Sequence, residues 1–393
     1  MQHAYERAPA VRELLDGAGV PPDEIRGIDD LARLPVTSKE RLLDLQRQSP
    51  PFGGFLAVDP SELRHIFVSP GPIYDPQAPA EAGFGFEVAF GAAGIGRGDV
   101  VLNTWSYHLV PAGLIMDEAL TALGASVIPG GVGNTEQQAR IIVDLGVTAV
   151  TASTAFFVAL AEKLEELGHE LPRDWKVRVA FLGGEFGDWM GKRRRLEERY
   201  GIRTTSAYAT GDLGVVGYEC ERQEGYHLRD DVIVQVCDPA TGAPLPDGEP
   251  GEVVATALNH TYPLIRFGTG DASFLMPEPC ACGNPSPRLA PLLGRTGQSV
   301  KVREIFVYPR HVDELAVRVD GALRGQAFVT RPQAREEVLL RLEVEDGADG
   351  AAVEAAARET FTALTRLRLD AVELLAPGEL PEDAPFLVDR KDG

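Results

Sequence analysis

Three cysteines and one histidine in the second half of the sequence have side chains that could bind a metal ion. Cys280 and Cys282 occur in the segment Cys-Ala-Cys-Gly, and Cys220 and His227 stand earlier, with six residues between them. A Cys₃His set is one of the usual closed structural zinc sites. Because Cys-x-Cys is tighter than the usual Cys-x₂-Cys, reduced buried cysteines beside a surface histidine remain an alternative. The pattern predicts a structural zinc site, with Cys237 left outside it.

Aromatic residues follow a short apolar stretch near position 100. Trp105, Tyr107 and His108 come after the predicted strand Val100–Leu102. Aromatic walls with a few polar groups are typical of pockets for aryl or bulky apolar ligands. We interpret these residues, together with Thr154 after a later strand, as a substrate-binding set. An aromatic core cluster with a satisfied histidine remains the alternative.

Alternating strands and helices should position these residues. From about Asp99 onward, short apolar strands alternate with helical patterns, and a predicted strand over Val177–Leu182 ends at Gly183-Gly184-Glu185. This order predicts a buried, mostly parallel sheet, and ligands of such folds bind at the carboxyl ends of the strands. The three residues after Leu182 fall at that edge.

After Gly214, short predicted strands such as Leu264–Phe267 are joined by Asp-Gly and Pro-Gly turns. Near the end of the chain, the order strand, helix, strand, strand, helix, strand is typical of a small α+β domain. The sequence thus predicts an α/β fold. A large N-terminal domain, 1–294, has mostly parallel sheets and a β-rich subdomain, and a small α+β C-terminal domain covers 295–393.

The charge of the chain argues against several classes of partner. It has 38 Lys and Arg against 59 Asp and Glu, a net charge of −21. Nucleic acids and anionic membrane surfaces attract basic proteins, so neither is expected to bind. There is no apolar run of about 20 residues and no secretory signal pattern, and four cysteines are too few for a disulfide scaffold. We expect a cytoplasmic enzyme acting on a small molecule, with a homodimer left open.

Seven segments carry a resemblance to a known superfamily. They are 34–42 (LPVTSKERL), 182–185 (LGGE), 208–212 (YATGD), 238–252, 263–271 (PLIRFGTGD), 280–283 (CACG) and 294–309 (GRTGQSVKVREIFVYP). In this order they resemble adenylate-forming enzymes, the acyl-CoA synthetases and peptide-synthetase adenylation domains, and most of all the phenylacetate-CoA ligase branch. The resemblance implies that an aromatic or related carboxylic acid attacks the α-phosphate of ATP, after which a thiol displaces AMP. It also implies ATP with Mg²⁺, CoA or a carrier-protein thiol, and a mobile C-terminal domain.

The resemblance further implies roles for particular residues. Five would bind the nucleotide: Gly184, Glu185, Tyr208, Asp271 and Arg295. Among these, Tyr208 would stack on adenine, and Asp271 would accept the ribose hydroxyls. Asp212 would hold Mg²⁺ in the catalytic centre, and His108 would face the carboxylate of the substrate as a second catalytic candidate. A core tyrosine and a turn aspartate remain the alternatives for Tyr208 and Asp271.

Two motifs depart from the family pattern. Ser69–Pro76 (SPGPIYDP) stands where the family has SSGTTGKP, so Asp75 replaces a lysine and prolines remove backbone donors. The tail segment 380–386 has no lysine at the family's place. Lys391 follows in a different context, and basic residues survive mainly around the expected ribose end and hinge, at Arg266, Arg295, Lys301 and Arg303. Two alternatives therefore stay open. One is a member that has lost adenylation and binds an acyl thioester or acid for another acyl transfer or a cyclisation in a biosynthetic pathway. The other is a non-catalytic partner of a true ligase.

Overall fold

The computed structural model describes residues 1–69, 71–183, 189–292, 294–296, 300–303, 305–307, 309–332, 335–381 and 384–391. The chain divides into two compact units, Met1–Thr296 and Gly297–Gly393. The α-helices are α1 Gln2–Arg7, α2 Pro9–Ala18, α3 Ile28–Leu31, α4 Lys39–Gln48, α5 Phe86–Ala92, α6 Ala112–Ala122, α7 Thr135–Asp144, α8 Thr154–Glu166, α9 Trp189–Tyr200, α10 Pro309–Arg318 and α11 Gly350–Thr365.

The strands of the first unit are β1 Thr37–Ser38, β2 His65–Ser69, β3 Ile73–Gln77, β4 Val100–Asn103, β5 Ser126–Pro129, β6 Ala149–Ser153, β7 Val179–Gly183, β8 Arg203–Thr205, β9 Ala207–Thr210, β10 Gly214–Tyr218, β11 Tyr226–Leu228, β12 Val232–Cys237, β13 Gly251–Ala257, β14 Phe267–Ser273, β15 Leu275–Met276, β16 Arg288–Leu289 and β17 Gly294–Arg295. Those of the second unit are β18 Val300–Val302, β19 Ile305–Val307, β20 Ala322–Thr330, β21 Glu337–Val344, β22 Ala371–Leu375 and β23 Leu387–Arg390.

A parallel sheet forms the centre of the first unit, in the order β5-β4-β6-β7-β8. Successive side chains of a strand point to opposite faces, so each face is covered by a different set of helices. Leu102 and Val150 pack towards a core that includes residues of α7, α8 and α9. Val101 and Ala149 pack towards α5 and α6. The predicted α/β class and its buried parallel sheet are confirmed.

Two further five-stranded sheets of the first unit carry most of the candidate site. One has the order β15-β16-β11-β10-β9 and is antiparallel. The other has the order β1-β14-β13-β12, with β17 also pairing with β14. The strands β2 and β3 form a separate antiparallel hairpin, in which Ser69 lies opposite Ile73 and Phe67 opposite Asp75.

The predicted strand Leu264–Phe267 is wrong in its bounds. Strand β14 begins only at Phe267, because Arg266 has φ +48° and so interrupts the extended backbone. Leu264 and Ile265 are nevertheless almost fully buried. An apolar run was therefore mistaken for a strand, although it fills the core from a loop.

The second unit is built on a four-stranded sheet in the order β22-β21-β20-β23. Helices α10 and α11 contribute Leu315 and Phe361 to a core with Leu340 of β21. From β19 to β22 the strands and helices follow the predicted order, but the structure adds two strands that were not predicted, β18, which pairs with β19, and β23, which pairs with β20. Within the described part of the chain, no helix has the length and apolar character required to cross a membrane.

Candidate functional site

A buried carboxylate, Asp271 of β14, joins two sheets and the end of the first unit. Its Oδ2 accepts a hydrogen bond from the Tyr208 hydroxyl on β9 at 2.8 Å, and its Oδ1 lies 2.6 Å from Arg295 Nη1. Arg295 reaches it because β17 pairs antiparallel with β14, which sets Asp271 opposite Arg295. Burial, followed by the nearby Asp271 charge, raises the pKa of Tyr208, so the hydroxyl stays a donor. The carboxylate can still accept further donors through its remaining lone pairs.

A second buried carboxylate, Asp212, lies in the turn between β9 and β10. Its Oδ2 is 2.8 Å from Nζ of Lys39, the first residue of α4, and the Asp212 side chain is only 1 % exposed. Its Oδ1 has no hydrogen-bond partner among the described residues. The residue predicted to hold Mg²⁺ therefore already has one carboxylate oxygen paired with an ammonium group.

A third buried carboxyl, Asp75 on β3, lies in the hairpin that the sequence aligns with a phosphate loop. Its Oδ2 accepts a hydrogen bond from the Ser69 hydroxyl on β2, while Oδ1 has no partner among the described residues. Burial and then the charge of Asp212 raise the pKa of Asp75 to about 8, against the opposing effects of Ser69 and Lys39. Asp75 is therefore protonated at neutral pH.

The loop after β4, which carries the predicted substrate residues, is organised by the buried side chain of Asn103. Its Nδ2 donates to Tyr107 Oη and to the Gly113 carbonyl, both at 2.9 Å. Its Oδ1 accepts from the Trp105 backbone N–H and the Thr151 hydroxyl. The Tyr107 hydroxyl in turn donates to Asp117 at 2.9 Å. The Tyr107 hydroxyl thus belongs to the framework of the loop.

The other predicted substrate residues lie in different environments. Trp105 packs on the end of β7, since a Cβ added at Gly183 would meet the indole ring at 3.4 Å. The buried indole N–H of Trp105 has no partner among the described residues. Thr154 is buried as the first residue of α8, and His108 is exposed. Among the described residues, the His108 side chain forms no hydrogen bond, ion pair or ring contact with the other site residues. The structure therefore adds no support to its catalytic assignment.

The predicted metal-binding residues converge. The ligand atoms of Cys220, His227, Cys280 and Cys282 all lie within 4.8 Å of one another. Cys220 Sγ is 3.8 Å from Cys280 Sγ, which is too long for a disulfide, and Cys282 Sγ is 3.4 Å from His227 Nε2. Three thiols and a neutral imidazole nitrogen at this spacing fit the tetrahedral donor set of zinc.

Backbone groups support this cluster from outside. The N–H groups of Arg222 and Asn284 donate to Cys220 Sγ and Cys282 Sγ, each at 3.4 Å, and His227 Nδ1 lies 3.4 Å from the Ser286 carbonyl. Outer hydrogen bonds of this kind orient the ligands of a metal. The cluster fastens β10, β11 and the loop before β16 to one another, within the sheet that includes Tyr208.

Several predicted residues fall outside the described part or have other partners. Gly184 and Glu185, and the side chain of Lys301, lie outside the described residues. Arg266 is buried, and its guanidinium donates to the carbonyls of Ala32, Leu34 and Gly242 and so holds the core together.

Two more basic residues, both in the second unit, bind carboxylates there. The guanidinium of Arg303 donates to the Asp370 carboxylate, while its backbone N–H donates to the Glu336 carboxylate. The ammonium of Lys391 pairs with Asp389.

Three functional candidates were not predicted from the sequence. Lys39 meets Asp212 across 173 positions of the chain, and Gln46 binds the Tyr74 backbone across 28. Asn103 could have been noticed as the polar residue that ends the apolar strand β4. The first two depend on tertiary contacts, so residue type and local spacing do not reveal them.

Replacing Asn103 with alanine should destabilise the first unit by about 2 to 4 kcal/mol, because buried partners lose hydrogen bonds. Urea unfolding followed by fluorescence measures the change. The exposed amide Gln137 of α7 provides the control, and Gln137→Ala should alter the free energy of unfolding by less than about 0.5 kcal/mol. Equal effects of the two substitutions would contradict the role assigned to Asn103.

Asp75 should make the stability of the protein fall as the pH rises. The folded state keeps this proton up to about pH 8, whereas an unfolded chain releases it near pH ~4, so unfolding releases a proton between these values. Asp75→Asn cannot ionise and should therefore gain roughly 1 to 4 kcal/mol relative to the unmodified protein between pH 5 and pH 8. Urea unfolding at both pH values tests this, with the exposed Asp231→Asn as control. Parallel pH profiles would refute it.

Comparisons with known proteins identify relatives of the chain. No family model matches the chain. The phenylacetate-coenzyme A ligase of Thermus thermophilus is 33 % identical over 358 residues, covering 88 % of this chain and 79 % of the relative. The Escherichia coli phenylacetate-coenzyme A ligase is 30 % identical, covering 81 % and 74 %.

A solved structure extends the likeness to the fold. It is the crystal structure of 2-hydroxyisobutyryl-CoA ligase with 2-HIB-AMP and CoA. It has a TM-score of 0.87 and 26 % identity, and the match covers 100 % of this chain and 87 % of that one. The colinear motifs, the α/β fold and these relatives lead to one conclusion: the chain belongs to the phenylacetate-coenzyme A ligase family of adenylate-forming enzymes.

Proposed function

We propose that this chain is an acyl-activating enzyme of the ligase type. It holds an aromatic or related carboxylic acid as its acyl adenylate and passes the acyl group to the thiol of CoA or of a carrier protein. The observation that carries the proposal is the buried carboxylate Asp271, fixed between Tyr208 and Arg295 at 2.8 and 2.6 Å. The family membership and the CoA and adenylate complex of the related ligase support it.

In this proposal, Asp271 accepts the two ribose hydroxyls of the adenylate. A carboxylate suits this task, because its oxygens have lone pairs beyond those used by Tyr208 and Arg295. Arg295 lies beside the carboxylate and contributes a positive charge within a strongly acidic chain. Gly184 and Glu185 remain candidates for the adenine side.

The acyl group would lie at the carboxyl ends of the parallel strands. Trp105 covers the end of β7, and its buried indole N–H could donate a hydrogen bond to an acyl oxygen. Burying an unpaired donor is costly, so a ligand that pairs with it binds more tightly. The Asn103 and Tyr107 hydrogen bonds keep this loop in place, which favours a rigid aryl acid.

A second candidate function is favoured by the 65–77 hairpin. Asp75 and Ser69 bind each other at the position that the resemblance assigns to a phosphate loop. In that case the acyl group arrives already activated, as an adenylate or a thioester, and the protein only transfers it. Under either candidate function, we also propose a mobile C-terminal unit, a cytoplasmic location, a homodimer and a carrier-protein partner.

A two-arm assay tests the function. The first arm offers a panel of aryl acids with ATP, Mg²⁺ and CoA. The second offers the corresponding acyl adenylate with CoA, and the corresponding acyl-CoA with pantetheine as acceptor thiol. Mass spectrometry should find a new thioester in at least one arm, and its absence from both arms for every acid would refute the proposal.

Substitutions at the ribose carboxylate should weaken AMP binding according to the hydrogen bonds that each one removes. Asp271→Asn should reduce AMP affinity at least about ten-fold, since a neutral amide is a poorer acceptor than a carboxylate. Tyr208→Phe is the matched control, because it keeps the ring and removes only the donor to Asp271. Calorimetry should show a smaller loss for Tyr208→Phe, and AMP binding unchanged in Asp271→Asn would contradict the assignment.

We also propose that Cys220, His227, Cys280 and Cys282 bind one structural zinc ion. Closed four-ligand sites of this kind stabilise the fold and leave no open position for water. Cys237 is excluded, since its Sγ lies 3.2 Å from the buried Arg266 guanidinium.

Protein purified without added metal should contain close to one zinc ion per chain by elemental analysis. Cys282→Ser should lower the zinc content and the melting temperature, because one ligand of the closed set is lost. Cys237→Ser should keep its zinc. A well-folded preparation without zinc, or equal zinc loss in both variants, would exclude the site.

A further inference from the structure

The turn of the 65–77 hairpin has few backbone donors for a phosphate. Pro70, Pro72 and Pro76 have no N–H group. The Tyr74 N–H donates to Gln46 Oε1 at 2.9 Å, and the Tyr74 carbonyl accepts from Gln46 Nε2 at 2.8 Å. A loop that cradles phosphate works through backbone N–H groups that point at the ligand. Here one of the remaining groups is taken by a side-chain amide of α4.

Gln46 is itself held firmly in place. It is 3 % exposed, and its Nε2 also donates to the Tyr262 hydroxyl at 2.9 Å. Releasing Tyr74 to bind a phosphate would leave the buried amide of Gln46 without its partners, at a cost of desolvated polar groups. The hairpin is therefore fixed in a conformation in which the Tyr74 N–H cannot donate to a phosphate.

One unpartnered polar atom beside the hairpin is a buried acceptor: Asp212 Oδ1 has no hydrogen-bond partner among the described residues. Phosphate oxygens are also acceptors and are negatively charged, so they gain nothing from it. The carboxyl of Asp75 keeps its proton at neutral pH, so it is neutral and supplies no positive charge to a phosphate. Lys39, the neighbouring cation, is held by Asp212 Oδ2 at 2.8 Å.

The space beside these groups is also filled. A Cβ added at Gly211 would lie 2.8 Å from Ser69 Oγ and 3.9 Å from Asp75 Oδ2. The turn before Asp212 thus packs directly on the hairpin, at the side chain of Ser69. A diphosphate group at this point would have to displace Ser69 or Asp75.

We propose that this chain has a closed subsite where the β- and γ-phosphates of ATP would lie, so that it binds adenosine monophosphoryl ligands, namely AMP or an acyl adenylate, in preference to ATP. The proposal rests on the proposed adenylate site at Asp271 and decides between its two routes. A triphosphate does not fit the residues present, because the Tyr74 N–H is already bound to Gln46 and the ammonium of Lys39 already pairs with Asp212.

A place in a reaction sequence follows from this specificity. An acyl group must then reach the protein already activated, from a reaction that consumes ATP elsewhere. In the transfer step, the thiolate sulfur attacks the acyl carbon, the new C–S bond forms, and the bond from that carbon to the phosphate oxygen breaks. AMP leaves with the electron pair, so no further reactant is needed.

Calorimetry with AMP, ADP and ATP, each with and without Mg²⁺, tests the proposal on the full-length protein. AMP should bind, and Mg²⁺ should change the affinity for AMP less than about two-fold. ATP should bind at least about ten-fold more weakly than AMP, because the loss of one charge-assisted hydrogen bond produces a factor of about this size. ATP with Mg²⁺ binding as tightly as AMP would overturn the closed subsite and leave the adenylate site standing. Failure of every nucleotide to bind would instead overturn the adenylate site, and the present inference with it.

Variants of the hairpin provide an independent measurement. Asp75→Lys should raise the ATP affinity relative to AMP by about ten-fold or more, because it supplies a donor and a cation. Asp75→Asn, which keeps the size of the side chain, covers the case in which a buried lysine prevents folding and should raise the same ratio less. The exposed Asp231→Asn should leave the ratio unchanged. A ratio unaffected by Asp75→Asn and by any folded Asp75→Lys protein would contradict the role of this carboxyl.

Discussion

The buried carboxylate of Asp271 is the constraint on which the first unit's candidate site depends. It receives the Tyr208 hydroxyl from one five-stranded sheet and the Arg295 guanidinium from the last strand of the unit. Burying a charge without partners is costly, so these three residues must be placed together. The pairing of β14 with β17 provides that placement, and it links the proposed adenosine site to the point where the unit ends.

The other two buried carboxyls underlie the proposed preference for AMP or an acyl adenylate over ATP. Asp212 and Asp75 are both buried, and each has one oxygen occupied, by Lys39 and by Ser69 respectively. Proton retention by Asp75 reduces the repulsion between them, since burial and the Asp212 charge raise its pKa to about 8. The acidity of the chain, which has a net charge of −21, is thus also found in the site itself. There, a proton neutralises Asp75 and the ammonium group of Lys39 balances the charge of Asp212.

Much of the fold could be predicted from local patterns. The parallel sheet follows from apolar strands alternating with helices, and the four metal-binding candidates were recognised by residue type alone, before the structure brought them within 4.8 Å. Leu264–Phe267 was misassigned because an apolar run does not distinguish a strand from a buried loop. Lys39 and Gln46 were missed because their contacts join distant parts of the chain. The spacing of residues along a sequence indicates which of them share a face of a helix or strand, but it does not reveal tertiary contacts between distant residues.

The most direct measurement of the central claim is a crystal structure of the full-length protein grown with AMP. The account predicts that the ribose hydroxyls lie within hydrogen-bond distance of Asp271, about 2.5 to 3.2 Å. It also predicts that the Ser69–Asp75 and Lys39–Asp212 contacts remain intact beside the single phosphate. AMP bound away from Asp271, or a phosphate inserted between Ser69 and Asp75, would contradict it.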